Sequence, residues 1–477
     1  MLVERSIYHH ALIELEALTP HAIQAGRGDA THDVLLMRDP NGLPALPGTS
    51  LAGVLRSLYF QAVGEEKCNQ LFGFAGRKGG RPSWIQVNAG LIHDSHNRPL
   101  EGLREDLEQD PLLGQLLDSK PLVRQRVSLN EKGAAKDTGK FDTTLIPAGA
   151  RYTTLLSYWS DGSDEAEQAF AQLLTLMQSP AFRLGHGTRN GSGAFKVNSL
   201  FTHRWDLTQQ DQAKDFQSFK RTRLNTQGLT PVESSTQLEP NWSTVKLELQ
   251  AEAGWRVGGG EQAFSEPDAN GKLPDLVPQS EKRIQWQGNQ GQLVERQAVV
   301  PATALKGALA HRFAFHYRRL SGDFVQPHVD ANLEQALDNP GVREVFGYIS
   351  DARDLNAQAG RLIINDLYLD SVQTARQIHN KIDRFTGGVI KGALFEEEVF
   401  WKTPLKLEIT LLNSNSLSET SRQALMATLA DLEAGWLPIG AGGSRGLGNF
   451  IATAPLEWLV NPLDQQKPLN PQQGATA

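Results

Sequence analysis

One cysteine, Cys68, stands in a chain of 477 residues. It cannot close an internal disulfide and has no cysteine partner for a zinc site, so the composition carries no mark of an oxidising compartment. Long apolar runs are missing too: no stretch of about 18 apolar residues occurs. Residues 1–18 carry charges and histidines where an export signal needs an unbroken apolar core. Neither a membrane span nor export is expected, and the protein is read as cytoplasmic. Positive charge is scarce, with 47 Lys and Arg against 54 Asp and Glu and a net charge of −7. That excludes a protein holding nucleic acid through its overall charge, so any such grip has to be local. The sequence also lacks Gly-x-x-x-x-Gly-Lys-Ser/Thr, His-Glu-x-x-His and Cys-x-x-Cys. ATP hydrolysis and structural zinc are therefore not expected.

What is present begins with 44 Gly and 24 Pro among 39% hydrophobic residues, which describes a globular, turn-rich protein. At about 100 to 200 residues per domain, two large domains fit the length best. An internal repeat supports the division. Leu46-Pro47-Gly48-Thr49-Ser50-Leu51-Ala52-Gly53-Val54-Leu55-Arg56 recurs as Val300-Pro301-Ala302-Thr303-Ala304-Leu305-Lys306-Gly307-Ala308-Leu309, offset by 254 residues from Pro47 to Pro301. Apolar residues follow at helical spacing in both copies, so each predicts an amphipathic helix that starts at the Pro. Gly53 and Gly307 each cost such a helix roughly 1 kcal/mol. Two explanations stand: an anion such as an RNA phosphate at the helix start, or tight packing of helix on sheet.

Three further pairs keep the same order: Leu71-Phe72-Gly73 with Val345-Phe346-Gly347, the stretch 126–133 with 381–388, and the glycine-rich 185–195 with 442–450. Between the copies, 206–242 is polar with a basic cluster at Lys220, Arg221 and Arg223, and reads as a connecting segment with some helix. The expected units are 1–205, the connection 206–242, 243–460, and a disordered tail 461–477. Each half runs strand, helix, strands, helix, strand. This predicts an α+β fold of two tandem ferredoxin-like domains with long insertions.

These residues resemble the RAMP superfamily of CRISPR-associated proteins, in particular the backbone subunits of type III effector complexes and the fused two-copy backbone proteins of type III-D-like systems. The resemblance rests on the Pro-Gly-Thr-Ser-Leu-x-Gly helix start, the Phe-Gly after that helix, Ile382-Asp383-Arg384-Phe385-Thr386-Gly387, and Gly442-Gly443-Ser444-Arg445-Gly446-Leu447-Gly448. It spans nearly the whole chain. It implies an RRM-like fold in each half, a protruding thumb hairpin at 124–145 and 379–397, and partners consisting of a guide RNA (crRNA), a complementary target RNA and other CRISPR effector subunits, with no membrane.

The resemblance also implies a metal-dependent, RNA-guided endoribonuclease. The loop before the first Pro-Gly helix would carry the catalytic, Mg²⁺-binding aspartate, and Asp33 occupies that position. An arbitrary loop carboxylate, by contrast, caps a strand end. Asp39 before Pro40 is turn chemistry. The second copy departs from the pattern: Gln287 stands fourteen residues before Pro301, and its loop, 258–297, offers Asp268, Asp275 and Glu281. Asp268 and Asp275 are the favoured acids. RNA contacts are expected from Gly48, Thr49, Ser50 and Arg56, from Thr303 and Lys306, from Arg189, Ser444 and Arg445 in the glycine-rich ends, and from Lys132, Lys136, Arg384, Phe385 and Lys391 in the thumbs. Tight turns with surface arginines and solvated lysines are the plain alternatives. A non-catalytic guide-RNA scaffold and a ribonuclease that processes the guide precursor are the rival functions.

Overall fold

The computed structural model describes residues 5–27, 34–76, 79–129, 135–232, 242–324, 339–348 and 357–459. The expected tail, 461–477, lies outside them.

In the first half, alternation of apolar residues builds the strand Ile7–Ala17, which becomes the centre of a sheet. It pairs antiparallel with Arg151–Ser160 on one side and Phe195–Asp206 on the other. Ile85–Val87 and Leu91–Ile92 flank the strand 151–160. The spatial order is fourth, first, third, second, and the helices Gly48–Val63 and Asp164–Leu176 lie between strands. Leu51, Leu55, Phe170 and Leu173 share one core with Ile13 and Leu15. This is the ferredoxin-like arrangement.

The second half repeats it. Trp242–Ala251 is central, flanked by Leu405–Leu412 and Phe450–Ala452, with Leu362–Ile364 outside 405–412. The helices Ala302–Ser321 and Glu419–Glu433 supply Leu305, Leu309, Phe313, Leu425 and Leu429 to a second core. The expected α+β fold with two ferredoxin-like units is what the chain adopts.

Each half also carries a long hairpin. Leu122–Leu129 pairs with Ala135–Leu145, and Thr374–His379 pairs with Phe395–Trp401. The second hairpin begins five residues before the expected 379, because Thr374 to Ile378 already pair with Phe400 to Glu396.

Segment 206–231 packs on the first unit. Its helix Gln210–Ser218 exposes polar residues but plants Phe216 on Tyr8 and, just beyond its end, Phe219 on Trp205, with ring centroids 5.0 and 4.9 Å apart. Thr230–Pro231 then adds an edge to the sheet at Phe201 and Thr202. The strand Ile7–Ala17 is thus covered on both faces near its start, which explains why Tyr8, His9 and His10 are all buried.

The long second-half loop is partly a hairpin, Ser280–Gln287 with Gln290–Val300. It joins the two halves. Ile284 N donates to Ala148 O at 2.8 Å and Trp286 Nε1 to Gly149 O at 2.7 Å. Gly149 has φ +88°, and a Cβ there would fall 2.0 Å from Ile284 O, so no larger residue lets the two backbones meet.

Candidate nucleic-acid interface

The two glycine-rich ends superpose by backbone conformation at an offset of 255. Gly185, Gly187, Gly191 and Gly193 have φ of 91°, 71°, 91° and 72°; Gly440, Gly442, Gly446 and Gly448 have 94°, 80°, 81° and 78°. Single-turn helices, Thr188–Asn190 and Gly443–Arg445, sit between the inner pairs. Their hydrogen bonds match as well. His186 N donates to Ala22 O and Ala441 N to Arg256 O, while Gly193 N donates to Pro20 O and Gly448 N to Gly254 O. In this register Arg189 faces Ser444, and Asn190 faces Arg445. Left-handed conformations at four fixed places explain the glycines.

The first turn lies against the start of the second half's helix. A Cβ on Gly191 would be 2.3 Å from Ala302 Cβ and 3.0 Å from Asp366 Oδ1. Asp366 Oδ1 accepts from Ala302 N at 2.7 Å, a carboxylate on the positive end of the helix. Lys306, one turn further on, donates to Arg189 O at 2.8 Å. Two residues singled out for RNA contact, Arg189 and Lys306, are therefore brought together from opposite halves, with Thr303 half-buried on the same helix.

Arg124 completes this seam. From the first hairpin it reaches Glu281 through two nitrogens at 2.8 and 2.9 Å, and Asp366 at 2.9 Å. The side chains of all three are at most 3% exposed. Tyr368 donates to Glu281. Burial pulls the Arg124 pKa down, but Asp366 and Glu281 outweigh it and hold the guanidinium charged. Arg183 also enters, donating to Asn365 Oδ1 and to the Thr188 and Ser192 carbonyls. Burial, then Arg189, lowers the Arg183 pKa to about 10; burial, then Arg189 and Arg183, lowers that of Lys306 to about 8. Burial also depresses Arg189 and, with help from Arg124, Arg126.

Arg124, Arg126, Arg183, Asp366 and Tyr368 were missed by sequence reasoning. The available signal was Arg124-Gln125-Arg126, two arginines on one face of a strand, but no sequence pattern names their partners.

The remaining candidates are scattered. Gly48 packs against the sheet, since a Cβ there would lie 2.2 Å from Val87 O, whereas Gly53 and Gly307 have nothing within 4 Å. Tight packing therefore accounts for Gly48 and not for the two glycines that prompted the idea. Thr49 is exposed and Ser50 half-buried. Arg56 braces the first helix, donating to Gly73 O and Asn69 Oδ1 at 2.9 and 2.8 Å. Ser444 is exposed, and Arg445 pairs with the buried Glu397 at 3.0 Å. Arg384 and Lys391 are exposed, and Phe385 is 99% exposed on a turn where Asp383 Oδ1 accepts from Phe385 N and Thr386 N.

Asp33 and Lys132 lie outside the described residues, and so does the side chain of Lys136. Asp268 Oδ1 accepts from Asn270 N and Lys272 N at 2.9 and 2.8 Å, and those backbone bonds, that of Lys272 first, lower its pKa. Asp275 Oδ2 accepts from Glu396 N at 2.8 Å and faces Lys272 Nζ at 3.3 Å, with the same direction of shift. Both acids brace their loop, and the ammonium on Asp275 occupies ground a cation would need. Glu281 is committed to Arg124. Asp39 Oδ1 accepts from Asn41 N and Leu43 N, the turn expected of it. Among the described residues Asp94, His96 and Asp110 have metal-ligand spacing. Their carboxylates already take the side chains of Arg98 and Ser95 and five backbone N–H groups, at Ser95, His96, Arg98, Leu112 and Leu113.

No curated protein matches the chain. Among solved structures it is similar to a chain of "Cryo-EM structure of the Type III-B Cmr-beta bound to cognate target RNA", at 14% identity and a TM-score of 0.29; the match covers 41% of this chain and 60% of that one. A family model for the RAMP superfamily matches residues 14–196 and again 248–451. With one match on each ferredoxin-like unit, the chain belongs to the RAMP superfamily.

Proposed function

We propose that the chain is a guide-RNA-binding backbone subunit of a type III CRISPR ribonucleoprotein that cleaves complementary target RNA in a Mg²⁺-dependent reaction. The observation that carries the RNA-binding part is the basic seam. In a protein of net charge −7, Arg126, Arg189 and Lys306 gather where two RAMP units meet, with Arg124 and Arg183 buried behind them, which supports a local grip of the kind an acidic chain requires. The exposed second hairpin, with Phe385 at its tip, supports a role in stacking on or parting a bound strand. Other effector subunits would contact the faces that the two units leave uncovered.

For cleavage, Asp33 is the residue we assign, on the strength of its place before the Pro47-Gly48 helix. A Mg²⁺ ion at that carboxylate would supply charge neutralisation at the scissile phosphate. The hairpins and the seam would hold the strand so that the 2′-hydroxyl lies in line with the leaving oxygen. The second half fits a cation poorly, since Asp268 and Asp275 are occupied as loop braces. One cut per chain, from the first half, is the reading this favours.

The test assembles the chain with guide RNA and partner subunits, adds end-labelled complementary RNA and Mg²⁺, and compares products with and without EDTA. Metal-dependent products that disappear in Asp33→Ala while binding survives would support the proposal. Unchanged products in the variant would make the subunit a scaffold, and cleavage within a repeat-containing precursor would make it a processing enzyme.

A further inference from the structure

The sheet of the first unit has a second face. Along the strand Ile7–Ala17, Ala11, Ile13 and Leu15 point into the core beneath the helices, so Tyr8 and His10, of the other parity, point the opposite way. Tyr8 stands opposite Trp159 on one neighbouring strand and opposite Trp205 on the other. The three rings form a row across three adjacent strands, with centroids 4.8 and 6.0 Å apart. His10 lies beside the row, between Ser157 and His203. Aromatic rings on the adjoining strands of an open sheet face are the platform on which four-stranded sheets of this kind stack nucleobases.

Here the chain fills the platform itself. Phe216 sits 5.0 Å from Tyr8 and 5.5 Å from Trp205, and Phe219 sits 4.9 Å from Trp205 and 5.3 Å from His10. Two flat rings thus occupy the row as two bases would, and Arg221 lies over Tyr8 and Phe216 at 5.7 and 6.0 Å. The cover is thin: the helix Gln210–Ser218 buries none of its residues, and its hydrogen bond to the row runs from Trp205 Nε1 to Asp215 Oδ2 at 2.6 Å. Thr222 and the Arg223 N–H tie the far end of the segment to Glu101.

One observation separates this cover from ordinary core. His10 is 1% exposed, and among the described residues neither of its ring nitrogens has a hydrogen-bond partner. Arg221 and Arg223 set positive charge towards it, with His203 alongside. Burial of an unpaired polar ring costs free energy, and Phe219 has nothing to give it. The polar edge of a nucleobase offers a donor and an acceptor together.

We infer that this sheet face is a further site for single-stranded RNA, stacking bases on Trp159, Tyr8 and Trp205 with His10 bonding a base edge, and that segment 210–219 is the cover that closes it. The site shares no residue with the seam between the units, so it stands or fails independently of the grip proposed there.

The test titrates the full chain with a fluorescein-labelled oligouridylate of about eight residues, read by anisotropy, and follows the amides of 210–219 by hydrogen exchange with and without that RNA. In the wild type, RNA is expected to strip protection from 210–219; unchanged exchange there at saturating RNA would overturn the cover. Phe216→Ser combined with Phe219→Ser is expected to bind about tenfold more tightly, because the closed fraction no longer reduces the affinity. Adding Tyr8→Leu should abolish that gain, and adding Lys306→Met should leave it in place. A gain that survives Tyr8→Leu, or no gain in a double variant whose circular dichroism matches the wild type, refutes the platform. Release of 210–219 by uridine monophosphate as effectively as by the strand would assign the face to free nucleotides and overturn the RNA assignment.

Discussion

The turns Thr188–Asn190 and Gly443–Arg445 share one backbone and have different neighbours. The first is pressed on the helix of the next unit; among the described residues no helix is pressed on the second, and its arginine folds back on Glu397. The lesson is that a repeated motif acquires its role from what abuts it. Where two units meet, the turn becomes part of a half-buried, cation-rich seam. Where no unit abuts it among the described residues, the same turn stays exposed. The repeat thus carries one covered copy of the turn and one exposed copy.

The largest contrast is expected between Arg124 and Arg445. Arg124→Ala leaves Glu281 and Asp366 buried without a partner and should cost about 3 to 5 kcal/mol in urea unfolding. Arg445→Ala removes a side chain that is 39% exposed, and Glu397 keeps Arg256 and His379, so about 1 kcal/mol or less is expected. Equal losses would break the comparison.

Next come the glycines. Gly191→Ala adds a left-handed alanine and a collision with Ala302, while Gly446→Ala adds only the former, since nothing lies within 4 Å of it. The first should lose about 2 to 4 kcal/mol by thermal unfolding and the second about 1 kcal/mol.

Acid should separate the halves more mildly. Burial lowers the pKa of His10 to about 4 and of His21 to about 3, and both lie in the first sheet and its adjoining loop. Both are neutral when folded and bind a proton near 6.5 when unfolded. Their contribution is complete above about 6.5 and is lost as pH falls from there towards 4, by about 3 kcal/mol for His10. Hydrogen exchange between pH 7 and 4 should show the first unit loosening with this profile, and His10→Phe should flatten it.

The smallest effect on stability belongs to Phe385→Ala, within about 0.5 kcal/mol because the ring touches solvent only. RNA affinity should still fall by about 1 to 3 kcal/mol if a base stacks there, as read by titration.

Much of the fold was legible in the sequence. Period-two alternation marked Ile7–Ala17 and Trp242–Ala251, helical spacing marked the Pro-led helices, and the repeat placed them in equivalent roles. What stayed illegible was pairing across surfaces. Nothing in the polar segment after Asp206 announces that Phe216 and Phe219 cover Tyr8 and Trp205. The hairpin 280–300 reads as a loop until Ile284 finds Ala148. Arg189 and Lys306 were recognised one by one, but their meeting depends on Gly191 resting on Ala302, a contact between units that periodicity does not report. Gly53 and Gly307 drew attention for a packing constraint that belongs to Gly48, because helix-interior glycine has the same cost whether or not anything approaches it.

The most direct measurement is a hydroxyl-radical footprint of the full chain on its guide RNA. Two units that hold RNA along their basic seam predict two protected stretches that are continuous across the junction, with the junction alone opened by Lys306→Met. A single protected stretch confined to one unit, or protection at the junction unaltered in the variant, would contradict it.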